Sequence, residues 1–166
     1  FVGVDLGGTS MRAGVVAKDG TLLAMKKRKT HPEQGAAKVV ERLAEAIEGA
    51  LDDAGVKPKD IGGIGVGVPG PVDTERGVVR VAVNLGQGWN NMPLADKLQE
   101  RLGLKAYIDN DVRVGATGEF THGAGRDVQD MVAIFVGTGV GGGNVLGGVL
   151  RGGFRGGAGE VGHTIV

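Results

Sequence analysis

The segment Asp5-Leu6-Gly7-Gly8-Thr9 brings a carboxylate, a glycine pair and a hydroxyl together in one short run. Glycines without a Cβ let backbone N–H groups reach phosphate oxygens. The threonine adds a donor, and the carboxylate is placed to hold a magnesium-bound water. Taken alone, the segment reads equally well as an ordinary Gly-Gly hairpin beside a surface aspartate. Gly137-Thr138-Gly139-Val140-Gly141-Gly142-Gly143 offers the same chemistry between two apolar runs, and two such turns in one chain favour two jaws around one polyphosphate. Asp109-Asn110-Asp111 closes an apolar run and opens a helical pattern. Asp111 can serve there as helix N-cap, and one carboxylate of the run as general base towards a sugar hydroxyl, with Asn110 hydrogen-bonding neighbouring hydroxyls; cap and base can be the same residue. Gly159-Glu160-Val161-Gly162-His163 sets a carboxylate and an imidazole three residues apart. His31 and His122 read as surface residues.

Other glycine patterns carry less. G-x-G-x-x-G occurs at Gly65–Gly70, Gly137–Gly142 and Gly157–Gly162, but a dinucleotide fingerprint must follow a strand and open a helix. Pro69 and Pro71 forbid that at the first site. A second strand follows the second site, and the third has too little sequence after it. No G-x-x-x-x-G-K-[ST] is present, so this is not a P-loop protein.

The elements that must position these residues follow from periodicity. Phe1 to Leu6, Met11 to Lys18 and Thr21 to about Arg28 read as three strands, the last two joined by the turn signal Asp19-Gly20. Val39, Val40, Leu43, Ile47, Ala50, Leu51 and Ala54 recur at helical spacing, stopped by Gly55 and Pro58. Ile61 to Val68 reads as a strand broken by Pro69-Gly70-Pro71, and Val78 to Val83 as another. Pro93 opens a helix carrying Leu94, Leu98 and Leu102, closed by Gly103. Lys105 to Ile108 is a short strand, Val112 to about Phe120 a helix, and Met131–Val136 with Gly143–Leu150 a strand pair. Three strands followed by helix–strand units give an α/β domain with a mixed sheet, and a second sheet begins near residue 131.

Composition narrows the function classes. Lys and Arg number 19, as do Asp and Glu, so a nucleic-acid or anionic-membrane partner has no electrostatic footprint. With no cysteine, disulfides are excluded, as is any cysteine-ligated metal site built from this sequence; the absence fits a cytoplasmic protein. Residues 131–150 are uncharged and long enough to span a bilayer, but they include seven glycines and read better as two buried strands. Glycine, at 34 of 166 residues, falls in clusters interleaved with aliphatic residues, as expected where backbone must approach something closely.

In order and spacing over all 166 residues, these segments resemble the ROK family of bacterial sugar kinases and sugar-responsive repressors. The carrying residues are Asp5-Leu6-Gly7-Gly8-Thr9 with Arg12; Gly67-Val68-Pro69-Gly70-Pro71-Val72-Asp73; Asn84 with Trp89; and Asn110-Asp111 before a helix ending in Gly118-Glu119. They continue with the 137–143 run and Gly157-Ala158-Gly159-Glu160-Val161-Gly162-His163. The resemblance implies an actin-like ATPase, ribonuclease H-like fold, with 1–113 as a complete first lobe and 114–166 as the start of a truncated second. It implies ATP-dependent phosphorylation of a hexose, glucose foremost, with Asp111 as catalytic base. Gly70, Asn84, Asn110, Glu160 and His163 would contact the sugar. Asp5, Gly7, Gly8, Thr9 and Arg12 would face the nucleotide with its Mg2+, as would Gly137, Thr138 and Gly139. In-line phosphoryl transfer relies on positioning and charge neutralisation, and two lobes would close over the sugar to exclude water.

Family members continue into a cysteine-rich zinc site that includes the residue matching His163, an adenosine-binding segment and a helix returning to the first lobe. On that reading this is a front half. It is expected to hold no stoichiometric zinc, to phosphorylate no sugar alone, and to cover the exposed face of the 131–150 strands by self-association or with a complementary C-terminal fragment. Two other classes compete. A ROK repressor needs a helix-turn-helix segment ahead of Phe1 and a basic surface. A ribonuclease H-like nuclease could use Asp5 and Asp111 on two metals, but leaves the second glycine turn unexplained.

Overall fold

The computed structural model describes residues 1–137, 139–154, 157–163 and 165. The chain divides into two compact units, Phe1–Asp109 and Asn110–Val166.

The first unit opens with three antiparallel strands, β1 (Val2–Leu6), β2 (Ser10–Val16) and β3 (Leu22–Lys29). Helix α1 (Ala36–Ala54) follows, then β4 (Ile64–Val68), the short hairpin of β5 (Val72–Asp73) and β6 (Val78–Val79), helix α2 (Leu94–Leu102) and β7 (Ala106–Asn110), whose last residue already belongs to the second unit. The main sheet has the order β3-β2-β1-β4-β7, with β4 parallel to β1. Strand alternation explains the layering: Val2, Val4 and Leu6 are buried, as are Met11, Ala13 and Val15, whereas Gly3, Asp5 and Arg12 are exposed on the other face. The buried row meets the apolar stripe of α1, where Val39, Leu43, Ala44, Ile47 and Ala50 are all fully buried. Gly55 ends α1 in the left-handed region (φ 64°), its N–H donating to the Asp52 and Leu51 carbonyls. Gly103 ends α2 in the same way (φ 68°).

Two expectations need correction here. Only Val78–Val79 pairs as a strand where a run to Val83 was expected. Val79 bridges Met92, and the chain then turns into a 3-10 helix at Val83–Leu85 that buries Leu85. The strand before Pro69 begins at Ile64, because Pro58–Asp60 forms a short 3-10 turn.

The second unit consists of α3 (Asp111–Thr121), the antiparallel strands β8 (Met131–Val136), β9 (Val140–Leu146) and β10 (Val149–Arg151), and a 3-10 turn at Val161–His163. The expected strand 143–150 is two strands split at Gly147-Gly148, and the first begins at Val140. Glycine has a packing reason in β9: a Cβ at Gly141 would lie 2.8 Å from Val112 Cγ2, and one at Gly143 would collide with Ala116. Both of those neighbours belong to α3. On the opposite face of β8, Val132, Ile134 and Val136 are exposed. No helix is long and apolar enough to cross a membrane.

Candidate active site

In the first unit the turn between β1 and β2 is held from three sides. Gly7 N–H donates to the Ser10 carbonyl at 3.0 Å, Thr30 N–H to the Thr9 carbonyl at 3.0 Å, and the Thr30 hydroxyl to the Gly7 carbonyl at 2.6 Å. On the third side, a Cβ at Gly8 would lie 2.6 Å from the Asn84 carbonyl oxygen. Neither Gly7 nor Gly8 has a positive φ, so space rather than backbone conformation demands glycine at Gly8. Among the described residues no acceptor takes the N–H of Gly8 or of Thr9. The Gly7–Gly8 peptide is trans, so its N–H points opposite to its carbonyl, away from Thr30. The turn therefore presents two adjacent unpartnered donors, an arrangement suited to an anion.

Asp5 and Arg12 are register partners on the exposed face of β1 and β2, and their side chains form a loose ion pair at 3.8 Å. Asn84 lies in the exposed 3-10 turn. With Gln34, Gln87 and Glu33 it lines an open cleft of about 540 Å³, rich in the amide and carboxylate groups that pair with hydroxyls. Trp89 is buried, its indole N–H donating to the Leu85 carbonyl at 2.9 Å. Gly70 has φ 90°, and a Cβ there would collide with the Val81 carbonyl. The bend after β4 thus requires glycine on both counts.

In the second unit Asn110 caps α3. Its Oδ1 accepts from Val112 N–H at 3.0 Å and from Arg113 N–H at 3.2 Å. The capping role expected of Asp111 belongs to Asn110. Asp111 is instead the first helical residue, and its Oδ1 takes Val112 N–H at 2.9 Å, which fixes the carboxylate at the helix start. Glu160 and His163 are brought together by the 3-10 turn, Oε2 to Nε2 at 3.8 Å, with both side chains largely exposed. Gly159 and Gly162 hold that segment against β9: Cβ atoms there would strike the carbonyls of Gly142 and Val140. Gly137 and Gly139 differ, since nothing lies within 4 Å of a Cβ at either, and Gly137 N–H donates to the Gly139 carbonyl at 2.8 Å. Thr138 lies outside the described residues.

The described residues do not by themselves make up a zinc site: among them Glu160 is the partner recorded for His163, no group of three or more potential ligands occurs, and this sequence has no cysteine. Structural zinc takes four protein ligands. The residue around the Gly7–Thr9 turn that sequence reasoning missed is Thr30, the only buried polar residue among those described. It follows four basic residues, with no local sign of its role.

The ROK family model matches residues 1–166. The glucokinase of Thermotoga maritima is 40% identical over 166 residues, covering 100% of this chain and 50% of that protein. A xylose repressor of Caldicellulosiruptor bescii is 40% identical over 129 residues, 78% of this chain and 32% of the repressor. Among solved structures, a ROK family glucokinase from Streptomyces griseus in complex with glucose and AMPPNP superposes with a TM-score of 0.87 at 39% identity, covering 99% of this chain and 50% of that one. The chain spans about half the length of the curated glucokinases it matches. The mixed α/β architecture is the actin-like fold of these kinases.

Proposed function

This chain belongs to the ROK family, and from that premise we propose that the protein carrying it is an ATP-dependent hexose kinase, with glucose as the first substrate to test. The observation that carries the reading is the clamped turn at Gly7–Thr9, whose Gly8 and Thr9 N–H groups have no acceptor of their own among the described residues. Donors already fixed in place stabilise phosphate charge without reorganising during the reaction.

Each unit has a task. The first holds the donor: Gly8 and Thr9 take phosphate oxygens, Gly7 shapes the turn with its own N–H held by Ser10, Arg12 offsets the phosphate charge, and Asp5 would hold a water of the Mg2+ that accompanies ATP. That ion supplies charge neutralisation along the phosphates. Asn84 and Gly70 orient the sugar. In the second unit the Asp111 carboxylate accepts the proton of the attacking hydroxyl. As it does so, the sugar oxygen bonds to the γ-phosphorus, the γ-phosphoanhydride bond breaks and ADP leaves. Asn110, Glu160 and His163 take neighbouring hydroxyls, and Gly137, Thr138 and Gly139 are assigned to the phosphates.

The test is glucose-dependent release of ADP from ATP by the complete protein, with a matching yield of sugar phosphate. Release at a rate above the glucose-free background supports the reading. The similarity to a xylose repressor favours one rival, a sugar-responsive regulator. No ADP release with any hexose, together with sugar-sensitive DNA binding, would decide for it.

A further inference from the structure

We infer that Thr30 is a positioning residue for the phosphoryl donor, acting through the Gly7–Thr9 turn rather than touching substrate; this rests on the reading of that turn as the phosphate site. Thr30 stands just past the end of β3, with no exposed surface. It grips two carbonyls of a turn more than twenty residues earlier, Gly7 through its hydroxyl at 2.6 Å and Thr9 through its N–H at 3.0 Å.

The hydroxyl bond decides which way a peptide plane faces. While the Gly7 carbonyl is bound by Thr30, the Gly8 N–H of the same plane must point outward. Remove the hydroxyl, and the carbonyl is left part-buried without its donor. A buried acceptor seeks another partner or stays unsatisfied at a cost, and glycine on either side of that peptide bond puts little restraint on its rotation. The Asn84 carbonyl closes the other side of Gly8, so the turn is gripped between Thr30 and the loop proposed to orient the sugar. Position 30 thus sets the direction of a donor that ATP needs and glucose does not.

Thr30→Val keeps the β-branched shape and removes the hydroxyl, whereas Thr30→Ser keeps the hydroxyl. Steady-state kinetics on the complete protein, below each variant's melting temperature, should show the KM for ATP raised roughly tenfold in Thr30→Val, the scale of one lost hydrogen bond. The KM for glucose should stay within about twofold, and Thr30→Ser should restore most of the ATP affinity. An unchanged ATP KM in Thr30→Val overturns the inference. So does a glucose KM that rises in step with it, or a serine variant as impaired as the valine. If the wild-type protein moves no phosphate from ATP to sugar, the functional reading and this inference fall together. An active wild type with an indifferent Thr30→Val removes this inference alone.

Discussion

The two glycine turns are written in nearly the same letters but built on opposite terms. At Gly7–Thr9 the chain crowds its own glycines: Ser10, Thr30 and Asn84 all press on the turn, and a Cβ at Gly8 has no room. At Gly137 and Gly139 a Cβ would meet nothing within 4 Å. In the first turn glycine is demanded by neighbouring protein, and the outward N–H groups are a by-product of that packing. In the second, no described residue makes such a demand at Gly137 or Gly139, and a bound ligand is the proposed source of any requirement for glycine at those two positions. A glycine motif therefore has two separable meanings, one tested by stability and the other by ligand affinity.

The largest effect expected lies outside both turns, at the base they are proposed to serve. Asp111→Asn should lower kcat of the complete protein by roughly 10²–10⁴, the usual scale for general-base loss. Glucose affinity measured by calorimetry should change little, because asparagine retains an acceptor at the head of α3. A variant keeping a third of wild-type turnover would remove Asp111 from that role.

Next in size is Gly8→Val. Overpacking against the Asn84 carbonyl should destabilise the first unit by about 1–3 kcal/mol and weaken nucleotide binding beyond that loss. Gly139→Val is its control: it should leave the melting temperature unchanged and still weaken nucleotide binding. If both variants lose nucleotide affinity only in proportion to stability, the turns are structural and the contrast between them has no functional content.

A smaller effect separates cap from ligand at Asn110. Asn110→Ala should cost about 1 kcal/mol through the lost N-cap, read by denaturant unfolding. Asn110→Asp retains a capping oxygen and should stay near wild-type stability while binding sugar less well, since a carboxylate cannot replace the amide N–H donors. Equal sugar affinity in the aspartate variant would confine Asn110 to capping.

The fold was legible wherever local and tertiary preferences coincide. The stripe of α1 from Val39 to Leu51 is buried as its spacing requires. Pro93 and Gly103 bracket α2 as start and stop signals should. The text misled where contacts distant in sequence override it. Val81 and Val83 look like strand residues, yet the pairing of Val79 with Met92 and the burial of Leu85 draw the chain out of the sheet. The start of β9 was hidden because Gly141 and Gly143, poor strand formers, are there to admit α3. At the candidate site the residue types could be named from sequence, but not their division of labour. Asn110 and Asp111 are both good caps by type, and only the geometry gives Oδ1 of Asn110 the two N–H groups. Thr30 could not be found at all, because its partners Gly7 and Thr9 are remote in the text.

Trp89 has a spectroscopic use. It is the only tryptophan in the sequence, and Tyr107 is the only tyrosine; both fall in the first unit, leaving the second with phenylalanine as its sole aromatic type. With the indole buried and its N–H bound to the Leu85 carbonyl, emission should be blue-shifted in the folded state and move to the red when the first unit melts. Tryptophan fluorescence thus reports from the first unit, while circular dichroism sees both. Any gap between the two melting curves reports how far the halves unfold independently.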